Sequence, residues 1–174
     1  MKKAIIAMAV FAAATSSAFA QTAPANPGQV KFTGEIVAGA CGIDAGSLDQ
    51  VVPLGQVPAH DFVNAGDRSK VKTFPIVLTD CDTATAKNAY FTFTGTADLA
   101  NNALFATQGS ATNVGIRLQT ASGEYLANGS EQKAPIVLSN GNNTVQFGAM
   151  YEATAAGVTP GEADSVANFT IRYL

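Results

Sequence analysis

The 174-residue chain carries ten Lys or Arg against thirteen Asp or Glu, with one His, no Trp and a formal net charge of -3. Its basic residues form no cluster that could neutralise a row of phosphates, which argues against nucleic acid and anionic membrane as partners. At 47% hydrophobic and 13% charged, it has the composition of a chain that buries a core.

At the start, Lys2 and Lys3 precede an apolar run from Ala4 to Ala14 and the small-residue ending Ala18-Phe19-Ala20. That order predicts a cleavable secretory signal over residues 1–20. The run is shorter than the roughly 20 residues a membrane-spanning helix needs. Taking twenty residues from 174 leaves an expected mature chain of 154 beginning at Gln21, with eight basic and thirteen acidic residues and a net charge of -5. A chain of that size is expected to form one domain around one core.

The segment QTAPANPGQ, with Pro24, Pro27 and Gly28, reads as a flexible leader that starts no helix. In VKFTGEIV that follows, Val30, Phe32, Gly34 and Ile36 alternate with Lys31, Thr33 and Glu35, the period of a half-buried first strand. Further strands are expected over 50–57, 71–79, 89–94, 114–120, 134–138, 144–153 and 166–174, all rich in Val, Ile, Phe, Thr and Tyr. Between them lie turn segments such as SNGNN at 139–143 and TPGEAD at 159–164. Only HDFVNAG suggests helix, as a single turn over 61–65. Many short strands in one exported domain predict an all-β sandwich.

Cys41 and Cys81 both lie in the exported part, where an oxidising compartment lets them pair, and two cysteines allow one pairing. A redox pair or a metal site competes with this structural disulfide, but the two are far apart in sequence and have one histidine between them to share.

Catalysis finds little support. His60 stands in a polar loop beside Asp61, without the converging partners that a catalytic or metal-binding role needs. The carboxylates Asp44, Asp49, Asp80, Asp82, Glu162 and Asp164 all fall in turn-like segments. No glycine cluster opens a helix to cradle phosphate, and three Asn-x-Ser/Thr matches are what a chain rich in these residues contains by chance. The expectation is therefore a non-enzyme with no cofactor and no metal.

More informative is the final ANFTIRYL, where Phe169, Ile171 and Tyr173 share one face against Thr170 and Arg172. A strand this apolar needs a partner edge, which an ordinary sandwich supplies from within.

These residues carry a resemblance. The pattern Gly28-x-Val30-x-Phe32-x-Gly34, the spacing to Cys41, LGQV at 54–57, TDCDT at 79–83, SATNVGI at 110–116, Gly161 thirteen residues before the terminus and penultimate Tyr173 together resemble the major subunits of type 1 and related chaperone-usher pili over nearly the whole mature chain. The resemblance implies an incomplete immunoglobulin-like β-sandwich, lacking its last strand and completed by a donor strand from another subunit. It implies residues 1–20 as signal, 21–34 as the donor extension with Gly28, Val30, Phe32 and Gly34 as its motif, and 35–174 as the pilin domain. It also implies that Gly161, Phe169, Ile171 and Tyr173 serve the C-terminal groove and chaperone strand. The implied partners are neighbouring subunits in a homopolymer, a periplasmic chaperone and an outer-membrane usher, on the way to an extracellular fimbria that supports adhesion.

A minor adaptor pilin of the same system and a monomeric secreted β-sandwich binding module remain as alternatives. The absence of Trp disfavours a sugar platform.

Overall fold

The computed structural model describes residues 28–174, so the expected signal over 1–20 and most of the leader lie outside the described residues. The chain divides into a unit ending at Glu35 and a compact unit from Ile36 to Leu174. In the first, residues 28–35 carry no strand, and Val30 and Phe32 are exposed. The half-buried first strand expected over 30–37 is therefore not formed: Ile36 and Val37, at the start of the second unit, are exposed as well. Alternation marks a strand only where an edge is there to pair with it.

In the second unit the described strands are β1 (Gly42–Ile43), β2 (Lys72–Cys81), β3 (Asn88–Gly95), β4 (Phe105–Ala106), β5 (Val114–Thr120), β6 (Tyr125–Leu126), β7 (Ile136–Val137), β8 (Gly141–Ala153) and β9 (Ala167–Tyr173). One sheet runs β1-β2-β8-β5-β4 with β6 also on β5; the other runs β7-β3-β9. Every pairing is antiparallel. The strands expected over 71–79, 89–94, 114–120, 144–153 and 166–174 are present, and that over 134–138 shrinks to the two residues of β7.

Residues 50–57 form no strand, against expectation. The reason lies at the edge of β2 beside them. Pro75 has no N–H to give, the Val77 N–H is taken by the Ser47 hydroxyl at 2.9 Å, and the Pro75 carbonyl accepts from Gln50 Nε2 at 2.6 Å. Side chains close that edge, leaving no ladder to join.

The helical turn expected over 61–65 appears instead as a 3-10 turn at Ala59–Asp61. Beyond it, the Asp67 carboxylate accepts from the N–H groups of Val63 and Asn64 at 2.8 and 2.7 Å, which makes a side-chain-capped turn of residues 63–67. A four-residue helix, α1 (Ala45–Leu48), begins at Asp44, whose carboxylate accepts from the Gly46 N–H.

Between the sheets the packing is aromatic. Ala89, Phe91 and Phe93 point inward from β3, and Val145, Phe147 and Ala149 from β8, as the period of two demands. Phe147 meets Phe91 and Phe93 edge-on at 4.9 and 5.0 Å between ring centres. Each such ring contributes about 1.5–3 kcal/mol through burial.

Near its end β2 bulges between Leu78 and Cys81, with Asp80 at a φ of 51°. The bulge reverses the inward phase, so Cys81 and not Asp80 enters the core, where it forms the disulfide with Cys41 across a Cα separation of 4.1 Å. The expected pairing is present.

On the outer face of the large sheet, Glu152 is only 3% exposed. Its carboxylate accepts from Arg117 Nε and Nη2 at 2.9 and 2.6 Å and from Arg68 Nε at 2.5 Å. Burial pulls its pKa upward, but the hydrogen bonds and charges of the two arginines outweigh that and hold it below the usual carboxylate range. Tyr125 lies beneath both guanidinium groups, 4.7 Å from Arg68 and 5.4 Å from Arg117.

Candidate functional site

The candidate site is an open groove on one side of the sandwich, about 190 Å³ in volume. One wall is β9, through Ala167 and Phe169; the other is the segment carrying Gln50, Val52 and Leu54. Core residues Ile76, Phe93, Phe105, Leu118 and Ala149 form the floor. A floor of this kind belongs inside a domain, and its five residues are buried; the apolar side chains partly open to solvent are on the walls, at Val52, Leu54 and Phe169.

The β9 wall has an unpaired backbone. Asn88 and Leu174 exchange both their backbone hydrogen bonds, at 2.8 and 2.9 Å, which fixes the phase of the β3-β9 ladder. By the alternation of an antiparallel pair, Arg172, Thr170 and Asn168 then bond to β3, while the N–H and C=O groups of Tyr173, Ile171 and Phe169 point away from it. Among the described residues no strand lies on that side, and β9 pairs with β3 alone.

The same three residues turn their side chains inward. Phe169 stands 6.2 and 6.1 Å from the rings of Phe91 and Phe93, and Phe169, Ile171 and Tyr173 are all half-buried against the core. They thus offer a ladder edge and an apolar surface together. Burial also pushes the Tyr173 hydroxyl pKa up.

Gly161 lies apart from these three, in the loop before β9. A Cβ there would collide with Ser110 and the backbone of Ala111, so a side chain has no space. With Tyr151 and Phe62 it lines a second hollow of about 480 Å³ at the end of the sandwich. The expected donor residues Gly28, Val30, Phe32 and Gly34 lie in the first unit, where among the described residues a side chain at either glycine would meet open space. His60 is solvated beside Asp61, at 3.4 Å.

Reasoning from sequence passed over Gln50 and Ser47, which close the β2 edge, and Val52 and Leu54 as a groove wall. Val51, Val52, Leu54 and Val57 were the available signal, and a run rich in Val reads equally as an ordinary strand.

A family profile described as Fimbrial protein matches residues 30–174. The chain belongs to the fimbrial protein family. This fimbrial subunit is 42% identical over 178 residues to the type-1 fimbrial protein A chain of Escherichia coli, covering 98% of the subunit and 96% of the relative. Its fold is similar to that of a chain in a solved chaperone-usher pilus, with a TM-score of 0.76 and 30% identity over 89% of the subunit and 100% of that chain. The crystal structure of the P pilus rod subunit PapA is also similar, with a TM-score of 0.66 and 31% identity over 78% of the subunit and 100% of that chain. The fimbrial subunit has the immunoglobulin-like pilin fold and is a structural component of a surface pilus, polymerising with other pilin subunits.

Proposed function

We propose that the groove beside β9 accepts a β-strand from another molecule and that Gly28–Gly34 is the strand this subunit donates in turn. One observation carries the reading: Phe169, Ile171 and Tyr173 combine a ladder edge unpaired among the described residues with half-buried apolar side chains, and Phe169 also lines the groove. An edge of that kind aggregates unless a strand covers it. An extended peptide satisfies both needs at once, through backbone bonds to β9 and alternate side chains on the floor.

The donor segment suits this role chemically. Val30 and Phe32 are exposed and share one face of an extended chain, and each is worth about 1.5–3 kcal/mol on burial. Glycines at 28 and 34 let the backbone approach closely at either end.

In this scheme the chain crosses the inner membrane on its 1–20 signal, and a periplasmic chaperone covers the groove first. An outer-membrane usher then exchanges the chaperone strand for the extension of the next subunit. The product is an extracellular homopolymer in which each copy is a rod subunit with a structural, non-catalytic role. Similarity to the P pilus rod subunit supports that place in the fibre.

Deleting residues 21–33 tests the assignment. The truncated subunit is expected to be captured by its chaperone and to bind a synthetic peptide of residues 21–35 in its own groove, yet to add to no fibre. Fibres built from the truncated protein would refute the donor role.

A further inference from the structure

β9 is an edge strand that must stay in register while its outer side is empty. Among the described residues it has one ladder, to β3, and its inward side chains are only half-buried. Edge strands held this weakly fray. Something else ties this one down.

Arg172 projects from β9 on the solvent face, directly opposite Tyr90 on β3. Its guanidinium lies 4.7 Å from the centre of the Tyr90 ring and reaches across β3. On the far side its Nε and Nη2 donate in a fork to the two oxygens of Glu131, at 2.7 and 2.6 Å. Glu131 is itself anchored to the other edge of β3, where it bridges Thr92 and where the next N–H, of Gln132, donates to the Phe91 carbonyl at 3.0 Å. One side chain therefore spans the sheet at right angles to its strands.

We propose that Arg172, Tyr90 and Glu131 form a latch that holds β9 against β3 while the groove is empty, making the acceptor edge ready for an incoming strand. The inference rests on the strand-acceptor reading above. These are positioning residues: they face solvent, away from the groove. A filled groove gives β9 a second ladder and buries its inner face, so the latch matters most before capture and little afterwards. Its loss should slow strand association and leave dissociation unchanged, because preorganisation lowers the ordering cost of binding.

The test uses the mature chain and a synthetic peptide of residues 21–35. Glu131→Gln is expected to reduce the peptide's association rate about three- to ten-fold at low salt, as suits an exposed fork with a stacked ring. The effect should shrink at about 1 M salt, where exposed pairs are screened. The pair Arg172→Glu with Glu131→Arg should recover much of the rate. Amide exchange at Asn168, Thr170 and Arg172 should quicken in the empty Glu131→Gln chain and match the parent once peptide is bound.

An unchanged association rate, or an equal change in the empty and filled states, overturns the latch. If the parent chain binds no peptide, the acceptor reading fails instead; exchange in the empty chain then decides the latch alone, and unaltered protection of Asn168, Thr170 and Arg172 refutes it.

Discussion

Gly39 lies so close to Tyr173 that a Cβ on it would come within 2.9 Å of the ring carbon Cε2. The backbone ahead of Cys41 thus covers the last aromatic of β9, and the disulfide to Cys81 pins that backbone in place. Ala40 ties it further, its carbonyl accepting from the Asp82 N–H at 2.9 Å. The Tyr173 ring is covered in this way while the backbone edge of β9 stays unpaired among the described residues.

Tyr173→Ser removes the ring beneath Gly39. The substitution is expected to cost about 1–3 kcal/mol, at the low end for an aromatic truncation because the ring is half-buried. Urea titration of the mature subunit measures this, and the yield of soluble chaperone complex should fall with it. An unchanged midpoint and yield would show that Tyr173 holds nothing.

Cys41→Ser opens the 40-residue separation that the disulfide closes. The chain-entropy model gives a loss of about 4 kcal/mol, mostly through a freer unfolded chain. Denaturant midpoints of the variant and the parent should differ by that order, and subunit accumulation in cells should drop.

Glu152→Gln leaves Arg117, only 8% exposed, without its counter-charge. A loss of about 3 kcal/mol at neutral pH follows from breaking a buried pair on one side. The folded carboxylate has a lowered pKa, so its contribution is complete above the usual 4.5 and is lost as pH falls through the lower folded value. The gap between variant and parent should therefore narrow as the medium is acidified below that point. A gap independent of pH would mean the carboxylate's charge is not what stabilises the parent.

Gly161→Ala forces a methyl group into Ser110 and the backbone of Ala111. Overpacking of this kind costs about 1–3 kcal/mol. Thermal unfolding of the variant should show a lower midpoint. A larger effect on peptide binding than on stability would tie the loop to the groove more closely than its position suggests.

Much of the sandwich is legible in one dimension. β3 and β9 alternate cleanly, so their inward residues follow from the period of two, and an apolar terminal strand calls for a partner edge. Shorter elements escape this logic. β1, β4 and β6 have two residues each, too few to display a period. The segment 50–57 fails in the other direction: it is rich in Val like a strand, yet Ser47, Gln50 and Pro75 occupy the edge it would have used.

By itself the sequence determined the class of the fold, the pairing of Cys41 with Cys81, and which face of the last strand is apolar. Those properties depend on local periodicity, on export and on a count of two. The tertiary structure alone decided which backbone groups stay unpaired, because that depends on the ladder phase set by Asn88 and Leu174 and on β9 having, among the described residues, β3 as its one neighbour. It also decided that Arg172 meets Glu131, residues 41 positions apart that come together only because β3 lies between them. Hydrogen-bond phase and cross-sheet reach are properties of assembled strands, and no single strand encodes them.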